Sequence, residues 1–488
     1  MRWTLQQLAD AVHGRIEAEP PDPDPAQAYG PVTIDSREVT AGALFVPIVA
    51  ERDGHQFIDA ALQAGAAGYL FVPGHRAPGH RAPGHRAPGH PAPGHPEPGR
   101  REPGPPASGH VERPAAAIAV ADTGAALLDL GRAARRRLEG PVVGITGSVG
   151  KTSTKDLAAA ALGAARRVTA SARSFNNELG VPLTLANAAD DTEVAVIEMG
   201  ARGVGHIELL CDIARPTIAV VTAVATVHTE MFGGLDAVAR AKGELVESLP
   251  PSGSAILNGD DERVSAMAER TDAQVIRYGV AAESRTPGLD VVAEQVTLDD
   301  DLRARYVLRS PWGSTEVALS VRGAHQVGNS LAAIAVALLV GVDLDAAVGA
   351  LATAAASPWR MELVTAPSGA QILNDAYNAN PTSTAAALQA LARLPASRRI
   401  AVLGAMAELG PDGPGEHRRI ADLAARLGIE VIAVDTPDYG PAPVAGVDGA
   451  LAAVGELSPG DAVLVKASRV AGLERLAAEL SDPAGPPP

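Results

Sequence analysis

Short apolar runs alternate with amphipathic stretches along most of this chain. The amphipathic segment at 1–14 predicts a short N-terminal helix. Further on, runs rich in Val, Ile and Leu are typical of buried strands. Between them, apolar residues recur every three or four positions, which is typical of helices. Strands that alternate with helices predict parallel sheets, so the expected fold class is α/β.

The individual elements follow from these runs. Strands are predicted at 41–49, 66–72, 115–121, 141–146, 194–199, 217–224, 255–258, 371–376, 399–404, 430–435 and 462–468. Helices are predicted at 57–64, 123–138, 152–162, 328–340, 382–394, 416–427 and 470–480.

This alternation predicts three domains. Residues 1–139 form a small N-terminal α/β domain, and 140–355 form a central domain with a mostly parallel sheet. Residues 356–488 form a C-terminal, Rossmann-like domain whose tail, 482–488, is expected to fray. No GxGxxG motif follows the first strand of that third domain, so a nicotinamide cofactor is not implied.

A Pro-Gly-His-Arg-Ala repeat at 74–106 interrupts the first domain. Proline removes backbone donors and glycine adds chain entropy, so the segment is expected to be a disordered insertion. Its regularly spaced histidines could bind a metal, but a flexible array fixes no coordination geometry, and a tandem repeat without function is the favoured interpretation. The histidines are His75, His80, His85, His90 and His95.

Composition narrows the function classes. The 488 residues carry a net charge of −16, which argues against nucleic acid as a partner. Hydrophobic residues make up 46%, enough for a large core. The single cysteine, Cys211, cannot form an internal disulfide, and no apolar run is long enough to span a membrane. A cytoplasmic protein is therefore expected. A monomer is the expected oligomeric state, although none of these features determines it.

The strongest local motif is a glycine-rich segment at 144–153, which lies between a predicted strand and a predicted helix. Small residues let backbone amides close around a phosphate, while Lys151 would reach the β- and γ-phosphates and Thr152 would hold Mg²⁺. The strict phosphate-loop pattern requires glycine where this chain has Ile145; the glycine comes at 147 instead. The ATP-binding residues predicted here are Thr146, Gly147, Ser148, Val149, Gly150, Lys151, Thr152 and Ser153.

Further chemistry-bearing side chains follow two other strands. Glu198 ends an apolar strand, where an acid without a partner is costly, and it suits Mg²⁺. His228 lies four residues beyond the next predicted strand; a metal ligand and a capping or core histidine are equally compatible with its spacing. Lys242 lies in a predicted helix, and composition alone favours an ordinary surface lysine there.

Ordered motifs along nearly the whole chain resemble the Mur ligase family, and most specifically its MurF type, the UDP-N-acetylmuramoyl-tripeptide–D-alanyl-D-alanine ligases. The motifs are IDSREVTAGALFVPIVAERDGHQFI, TGSVGKT, SFNNELGVPLTL, IEMGARG, TAVATVHTEMFG, RAKGEL, LNGDD, GAHQVGNSLAA, RME, NDAYNANPTS and LGAMAELG.

The resemblance implies roles for individual residues. Lys151, His228 and Lys242 would be catalytic, with Thr152, Glu198, His228 and a carbamylated Lys242 holding two Mg²⁺ ions. ATP would also contact His325, Asn329, Arg360, Asp375, Tyr377 and Asn378. The substrate contacts would be Ser36, Arg37, Arg52 and His55 for the UDP-sugar, and Asn176, Asn177, Asn380, Lys466, Ser468 and Arg469 elsewhere.

The implied reaction is ATP-dependent amide formation through an acyl phosphate, between UDP-N-acetylmuramoyl-tripeptide and D-alanyl-D-alanine. Three features depart from the family pattern. Ala405 lies where an acid is common, which affects fine contacts of the third domain. The turn at 51–55 is one residue short and the repeat is an unusual insertion, and both affect only the first domain. The alternatives are another Mur or folylpolyglutamate-type ligase, a phosphate-loop NTPase that moves a partner, and a non-catalytic binding protein. The third residue of the tripeptide is left open.

Overall fold

The computed structural model describes residues 1–19, 27–75, 115–225, 232–281 and 288–482. Most of the predicted repeat insertion, His228 and nearly all of the predicted frayed tail lie outside these residues. Among the helices in the described ranges, none combines the length and apolarity needed to cross a membrane. The chain divides into two compact units, Met1–Ala133 and Ala134–Pro488.

The first unit is built on one mostly parallel sheet, with strand order β1-β5-β4-β3-β2 in its described part. Only the pairing of β1 with β5 is antiparallel. Phe45, Ile58 and Ala61 form part of its apolar core. The strands are β1 (Arg15–Ala18), β2 (Val32–Thr33), β3 (Leu44–Phe45), β4 (Gly68–Phe71) and β5 (Ala116–Ala119), and the helices are Leu5–Ala11, Ile58–Gln63 and Thr123–Arg137, the last of which contains the unit boundary.

The second unit contains two sheets, which belong to the central and C-terminal domains. The larger sheet comprises β6 (Val142–Thr146), β7 (Val168–Ala170), β8 (Val194–Glu198), β9 (Ile218–Val221), β10 (Ser254–Asn258), β11 (Gln274–Val280), β12 (Val291–Leu298), β13 (Arg303–Ser310) and β14 (Gly313–Arg322). Helices of this domain are Lys151–Gly163, Gly180–Ala186, His206–Ala214, Leu235–Glu247, Glu262–Ser265, Gln326–Leu339 and Leu344–Leu351.

The strand order of the central sheet positions the site. Over the described residues it is β14-β13-β12-β11-β10-β9-β6-β8-β7, and the strands from β7 to β12 in this order run parallel. Strands β8 and β9 flank β6, so the segments after all three meet at one edge. Ligands bind at such carboxyl ends in open α/β sheets. Helices Lys151–Gly163 and Gln326–Leu339 contribute Leu157 and Leu331 to the core that covers this sheet.

The C-terminal sheet has the order β15-β16-β19-β17-β18 in the part of the chain that is described. Only β15 runs antiparallel to its neighbour. The strands are β15 (Glu362–Thr365), β16 (Gln371–Asn374), β17 (Arg398–Leu403), β18 (Glu430–Ala433) and β19 (Asp461–Lys466), and the helices are Pro381–Arg393, Gly413–Arg426, Gly446–Val454 and Glu474–Ser481.

The α/β class and the parallel sheets were predicted correctly, but several individual elements were not. The antiparallel ribbon β12–β14 was missed, because its strands alternate buried and exposed residues instead of forming apolar runs. The helix predicted over 470–480 is broken: a 3₁₀ turn at Arg469–Ala471 precedes a helix at Glu474–Ser481, and Gly472 between them has φ 64°.

Candidate active site

One cavity of about 780 Å³ opens in the second unit at the carboxyl ends of the central strands. Its walls come from both the central and the C-terminal domain. The predicted residues that line it are Gly147, Ser148, Val149, Gly150, Lys151, Thr152, Ser153, Asn176, Asn177, Glu198, Lys242, His325, Asn329, Arg360, Asp375, Tyr377, Asn378, Asn380, Lys466, Ser468 and Arg469.

The glycine-rich loop after β6 is fixed by two glycines with positive φ, Gly147 at 151° and Gly150 at 86°. A Cβ on Gly147 would lie 1.9 Å from Thr222 Oγ1, and one on Gly150 would lie 2.6 Å from Asn329 Oδ1. The Thr222 hydroxyl also donates to Val149 O at 2.5 Å. Both positions therefore require glycine.

Lys151 begins the helix that follows this loop. Its Nζ donates to Gly147 O at 2.8 Å, so the ammonium folds back over the loop. Desolvation lowers the pKa of Lys151, and the Arg360 cation acts in the same direction, while Glu198 opposes them. A buried cation at a helix N-terminus is suited to an anionic phosphate.

Thr152 and Glu198 form the floor of the cavity. The Thr152 hydroxyl donates to Glu198 Oε2 at 2.9 Å and accepts from Arg360 Nη2 at 3.0 Å. Asn176 Nδ2 donates to Glu198 Oε1 at 2.9 Å, and the Ser171 hydroxyl accepts from the Glu198 amide at 3.1 Å. The buried carboxylate that was predicted to need a partner has several, and its oxygens lie beside a hydroxyl, an arrangement that suits a hard cation.

Lys242 lies in helix Leu235–Glu247 and is only 3% exposed. The surface-lysine interpretation drawn from composition alone was therefore wrong. Desolvation, reinforced by the nearby Lys151 cation, lowers the pKa of Lys242 well below its ordinary value. Within the described ranges, its ammonium forms no hydrogen bond or ion pair. An amine in this environment favours the neutral, nucleophilic form.

The C-terminal domain contributes a second polar cluster, at the end of β16 and β19. Lys466 Nζ donates to Asp375 Oδ2 at 2.5 Å and to Asn378 O at 2.8 Å. The other carboxylate oxygen of Asp375 accepts from the Met361 amide at 3.1 Å. This buried ion pair holds the segment after β16 against the cavity.

Three hydrogen bonds join the two domains of this unit. The Arg360 guanidinium, which lies 4.1 Å from the centre of the Tyr377 ring in its own domain, donates to the Thr152 hydroxyl, and the Tyr377 hydroxyl is hydrogen-bonded to the Ser174 hydroxyl. At the connecting segment, the Ser357 hydroxyl donates to Asp156 Oδ2 at 2.6 Å. Together they hold the C-terminal domain over the phosphate loop.

Other predicted residues have identifiable structural partners. Asn329 Oδ1 accepts from the Thr154 hydroxyl at 3.2 Å, and Asn329 Nδ2 donates to Gln326 Oε1 at 2.9 Å. These bonds fix the Asn329 side chain beside Gly150 of the loop. Asn177 Oδ1 accepts from the Gly180 amide at 2.9 Å, at the start of helix Gly180–Ala186.

The amine-side candidates also have structural partners. Asn380 caps helix Pro381–Arg393 through the Ser383 amide at 2.9 Å. Ser468 Oγ accepts from the Ala407 amide at 2.8 Å. The Arg469 guanidinium lies over the Trp359 ring and pairs with Glu474 at 3.0 Å.

Thr146 does not line the cavity. It is fully buried, and its hydroxyl donates to Met199 O at 2.8 Å, beneath the loop. The cavity also has polar walls that the sequence reasoning did not select. Their residue types are common on surfaces, so only the fold identifies them: Ser174, Arg202, His206, Thr222, Asn258, Asp260, Gln326, Thr382, Ser383 and Glu408.

The candidates of the first unit lie in its own loops. Ser36 is half-buried and Arg52 is exposed. Arg37 donates to Asp35 through Nε at 2.9 Å and through Nη2 at 2.6 Å. These hydrogen bonds lower the pKa of Asp35 to about 2.

His55 is buried and belongs to a cluster with Asp53 and His75, whose ligand-type atoms lie within 4.8 Å of one another. The Val72 amide donates to His55 Nε2 at 3.0 Å, so the ring proton is on Nδ1, which faces Asp53 Oδ1 at 2.6 Å. Coordination through Nδ1 would move that proton to Nε2, where it would oppose the Val72 N–H. The cluster is therefore explained by hydrogen bonds. His228, His80, His85, His90 and His95 lie outside the described residues.

Comparison with known proteins agrees with this geometry. Residues 145–337 match the Mur ligase middle domain, and 359–469 match the Mur ligase glutamate ligase domain. A UDP-N-acetylmuramoyl-tripeptide–D-alanyl-D-alanine ligase from Mycobacterium tuberculosis (strain ATCC 25618 / H37Rv) is 39% identical over 97% of this chain and 96% of its own. The chain belongs to the Mur ligase family, and its relatives are of the MurF type.

Solved structures agree with this assignment. MurF from Acinetobacter baumannii superposes with a TM-score of 0.80 at 28% identity, covering 99% of each chain. MurF ligase from Thermotoga maritima, solved in complex with ADP, gives a TM-score of 0.70 at 26% identity, covering 93% of this chain and 98% of its own. In this Mur ligase, the two matched family domains meet at the cavity described above.

Proposed function

We propose that this Mur ligase joins D-alanyl-D-alanine to UDP-N-acetylmuramoyl-tripeptide and converts ATP to ADP and phosphate. The observation that carries the proposal is the single cavity in which the phosphate loop, the Thr152–Glu198 pair and the Asp375–Lys466 pair meet. The full-length likeness to ligases of this name supports the choice of substrates. We assign the UDP-sugar contacts to Ser36, Arg37, Arg52 and His55. We also propose that the enzyme is a monomer and acts in the cytoplasm.

In this proposal, the tripeptide carboxylate attacks the γ-phosphate of ATP and forms an acyl phosphate. Lys151 and the loop amides bind the phosphates and hold the transferred group in line. Arg360 and Tyr377 reach the nucleotide from the C-terminal domain, with Asn329 and His325 near it. Closure of the two domains around the substrates would exclude water and protect the acyl phosphate from hydrolysis.

The donor set of the floor fits Mg²⁺, because a hydroxyl and a buried carboxylate are both oxygen ligands. Thr152 and Glu198 would hold one ion, and His228 together with Lys242 as a carbamate would hold a second. Bound Mg²⁺ neutralises the negative charge of the phosphates during transfer. Burial of Lys242 supports the carbamate, because only a neutral amine reacts with CO₂.

Phosphate release from ATP tests the proposal, with UDP-N-acetylmuramoyl-tripeptide supplied in the presence and absence of D-alanyl-D-alanine. We expect release that requires both substrates, together with a product of pentapeptide mass. Release with neither substrate would indicate an NTPase. Phosphate release only with another amine or acyl acceptor would indicate another ligase of the superfamily. If the folded protein, supplied with bicarbonate, releases no phosphate in any mixture, it is a binding protein.

A further inference from the structure

A buried ion pair on the phosphate-loop helix has no role in the chemistry proposed above. Lys155 and Asp156 lie in helix Lys151–Gly163, and Lys155 Nζ lies 2.8 Å from Asp156 Oδ1. The same Nζ donates to Ser171 O at 2.8 Å, and Lys155 is only 4% exposed. Because desolvation offsets much of the attraction between buried charges, such a pair contributes little net stability. Its remaining partner shows what the pair holds in place.

The second oxygen of Asp156 binds the linker, which we define as residues 352–361, between the last helix of the central domain and strand β15. Asp156 Oδ2 accepts from the Ser357 hydroxyl at 2.6 Å and from the Ser357 amide at 3.1 Å. Lys155 pairs with Oδ1, so each carboxylate oxygen has its own partner. An amide at this position would have only one acceptor oxygen and could not serve both partners.

Arg360 lies three residues beyond Ser357 and contacts the same helix one turn earlier. Its Nη2 donates to the Thr152 hydroxyl at 3.0 Å. Thr152 and Asp156 are four residues apart in a helix, so they lie on one face. The linker therefore runs antiparallel along this face and contacts it twice, through Ser357 and through Arg360. The contact at Asp156 fixes where along the helix the contact at Thr152 can form.

The position of the Arg360 guanidinium depends on its backbone. Among the described residues, its Nε is buried and has no hydrogen-bond partner. The flanking residues have left-handed backbones, with φ of 59° at Trp359 and 51° at Met361. The Tyr377 amide donates to Trp359 O at 3.2 Å, and the Met361 amide donates to Asp375 Oδ1 at 3.1 Å. These bonds fix the end of the linker to the C-terminal domain, so its alignment with the phosphate-loop helix also needs a contact to the central domain.

We propose that Asp156 is a positioning residue for phosphoryl transfer. It holds the linker at Ser357 and thereby sets the place of the Arg360 guanidinium beside Thr152, where the phosphates of ATP are proposed to bind. This inference rests on the proposed function. Neither Asp156 nor Ser357 lines the cavity, so both act through Arg360. Lys155 fixes the carboxylate of Asp156 through the oxygen that does not face the linker.

Ser357→Ala tests this role without disturbing the buried ion pair. The substitution removes the hydroxyl that donates to Asp156 and keeps the amide. We expect kcat for ligation to fall about 5- to 10-fold, because a misplaced side chain costs rate even far from the chemistry. The KM for D-alanyl-D-alanine should stay within about twofold of wild type, since this contact lies on the phosphate side. Ser357→Thr retains a hydroxyl and should recover most of the rate.

A double-mutant cycle with Arg360→Lys separates positioning from stability. The lysine keeps the positive charge but lacks the planar donor group that reaches Thr152. If the linker contact acts through Arg360, Ser357→Ala should lower kcat by less than about twofold in the Arg360→Lys protein. The loss of Tm caused by Ser357→Ala should persist in both backgrounds, because the hydrogen bond to Asp156 is lost in each.

Ser320→Ala is the matched control for Ser357→Ala. The Ser320 hydroxyl donates to Ala354 O at 2.6 Å, so it also holds the linker, but Ser320 does not line the cavity and lies apart from the Asp156 contact. This substitution should lower the Tm while leaving kcat within about twofold of wild type. Asp156→Asn should lower kcat at least as much as Ser357→Ala, because one amide oxygen cannot serve both Lys155 and Ser357.

The outcomes distinguish this inference from the function on which it rests. Wild-type kcat in Ser357→Ala and Asp156→Asn, with a lowered Tm, would show that the contact is only structural. Losses of kcat that multiply with the loss in Arg360→Lys would show that the contact does not act through Arg360. Either result overturns the assignment of Asp156. If wild-type protein forms no pentapeptide, the proposed function itself fails.

Discussion

Thr152 and Glu198 are hydrogen-bonded to each other at the floor of the cavity, with 2.9 Å between the hydroxyl and carboxylate oxygens, although Glu198 ends β8 and Thr152 lies in the helix after β6. Glu198→Gln keeps the size of the side chain but removes its charge. We expect kcat to fall at least about 100-fold and the Mg²⁺ concentration for half-activity to rise, because a neutral amide is a poor ligand for a hard cation. Initial rates over a Mg²⁺ titration measure both effects. Wild-type Mg²⁺ dependence in this variant would remove Glu198 from the metal site.

We expect Lys242 to lower the stability of the ligand-free protein although ligation requires it. Burial lowers the pKa of Lys242. At pH values between this native pKa and about 10.4, the ordinary lysine pKa, the native state therefore binds fewer protons than the unfolded state. The free energy of unfolding rises with pH in that window, so burial of this amine destabilises the native state at neutral pH. We expect Lys242→Met to raise the Tm of the ligand-free protein at neutral pH while abolishing ligation. The gain in Tm should shrink as the pH approaches the upper limit, as followed by thermal melts across pH.

The proposed carbamate on Lys242 can be detected directly. Wild-type protein equilibrated with ¹³C-bicarbonate should show a carbamate carbonyl resonance that Lys242→Met lacks, and the resonance should weaken as the pH is lowered and the amine becomes protonated. A resonance of equal intensity in the two proteins would assign the carbamate to another amine.

Two glycines, one in the phosphate loop and one at the end of the following helix, allow a matched pair of substitutions. Gly147 has φ 151° and lacks room for a Cβ, whereas Gly163 lies in a helix with open space around it. Gly147→Ala should abolish nucleotide binding, and Gly163→Ala should preserve it while stabilising the fold by about 0.5–1 kcal/mol. Nucleotide titration calorimetry and chemical denaturation check the two predictions. Equal affinities in the two variants would contradict the loop assignment.

The hydroxyl contact between Ser174 and Tyr377 connects the central and C-terminal domains. Tyr377→Phe keeps the ring beneath Arg360 and removes only the hydroxyl. We expect a loss of about fivefold in kcat/KM, corresponding to one hydrogen bond of about 1 kcal/mol. In the double-mutant cycle with Ser174→Ala, the second substitution should add little. Fully additive losses would show that the two hydroxyls act independently.

The features predicted from the sequence alone are those that depend on residues close together along the chain. The phosphate loop follows from glycine spacing between a strand and a helix, and Glu198 follows from the cost of an acid that ends an apolar strand. The C-terminal-domain residues Arg360 and Asp375 were chosen only through family resemblance, because no local pattern links them to the loop.

The remaining features depend on tertiary placement. Lys242 looks like an ordinary helical lysine until the fold buries it. Glu408 was missed as a cavity residue because its loop is held in place by tertiary contacts, in which the Met406 and Ala407 amides donate to His417 and Ser468. The ribbon β12–β14 was missed because a strand with one exposed face lacks the apolar run that marks a buried strand.

Oxygen transfer tests the central claim most directly. The terminal carboxylate of UDP-N-acetylmuramoyl-tripeptide would be labelled with ¹⁸O and incubated with ATP, Mg²⁺, D-alanyl-D-alanine and the protein. Ligation through an acyl phosphate predicts one ¹⁸O atom in each released phosphate and a pentapeptide product that retains the other, both read by mass spectrometry. Unlabelled phosphate, or phosphate released without pentapeptide, would contradict the account.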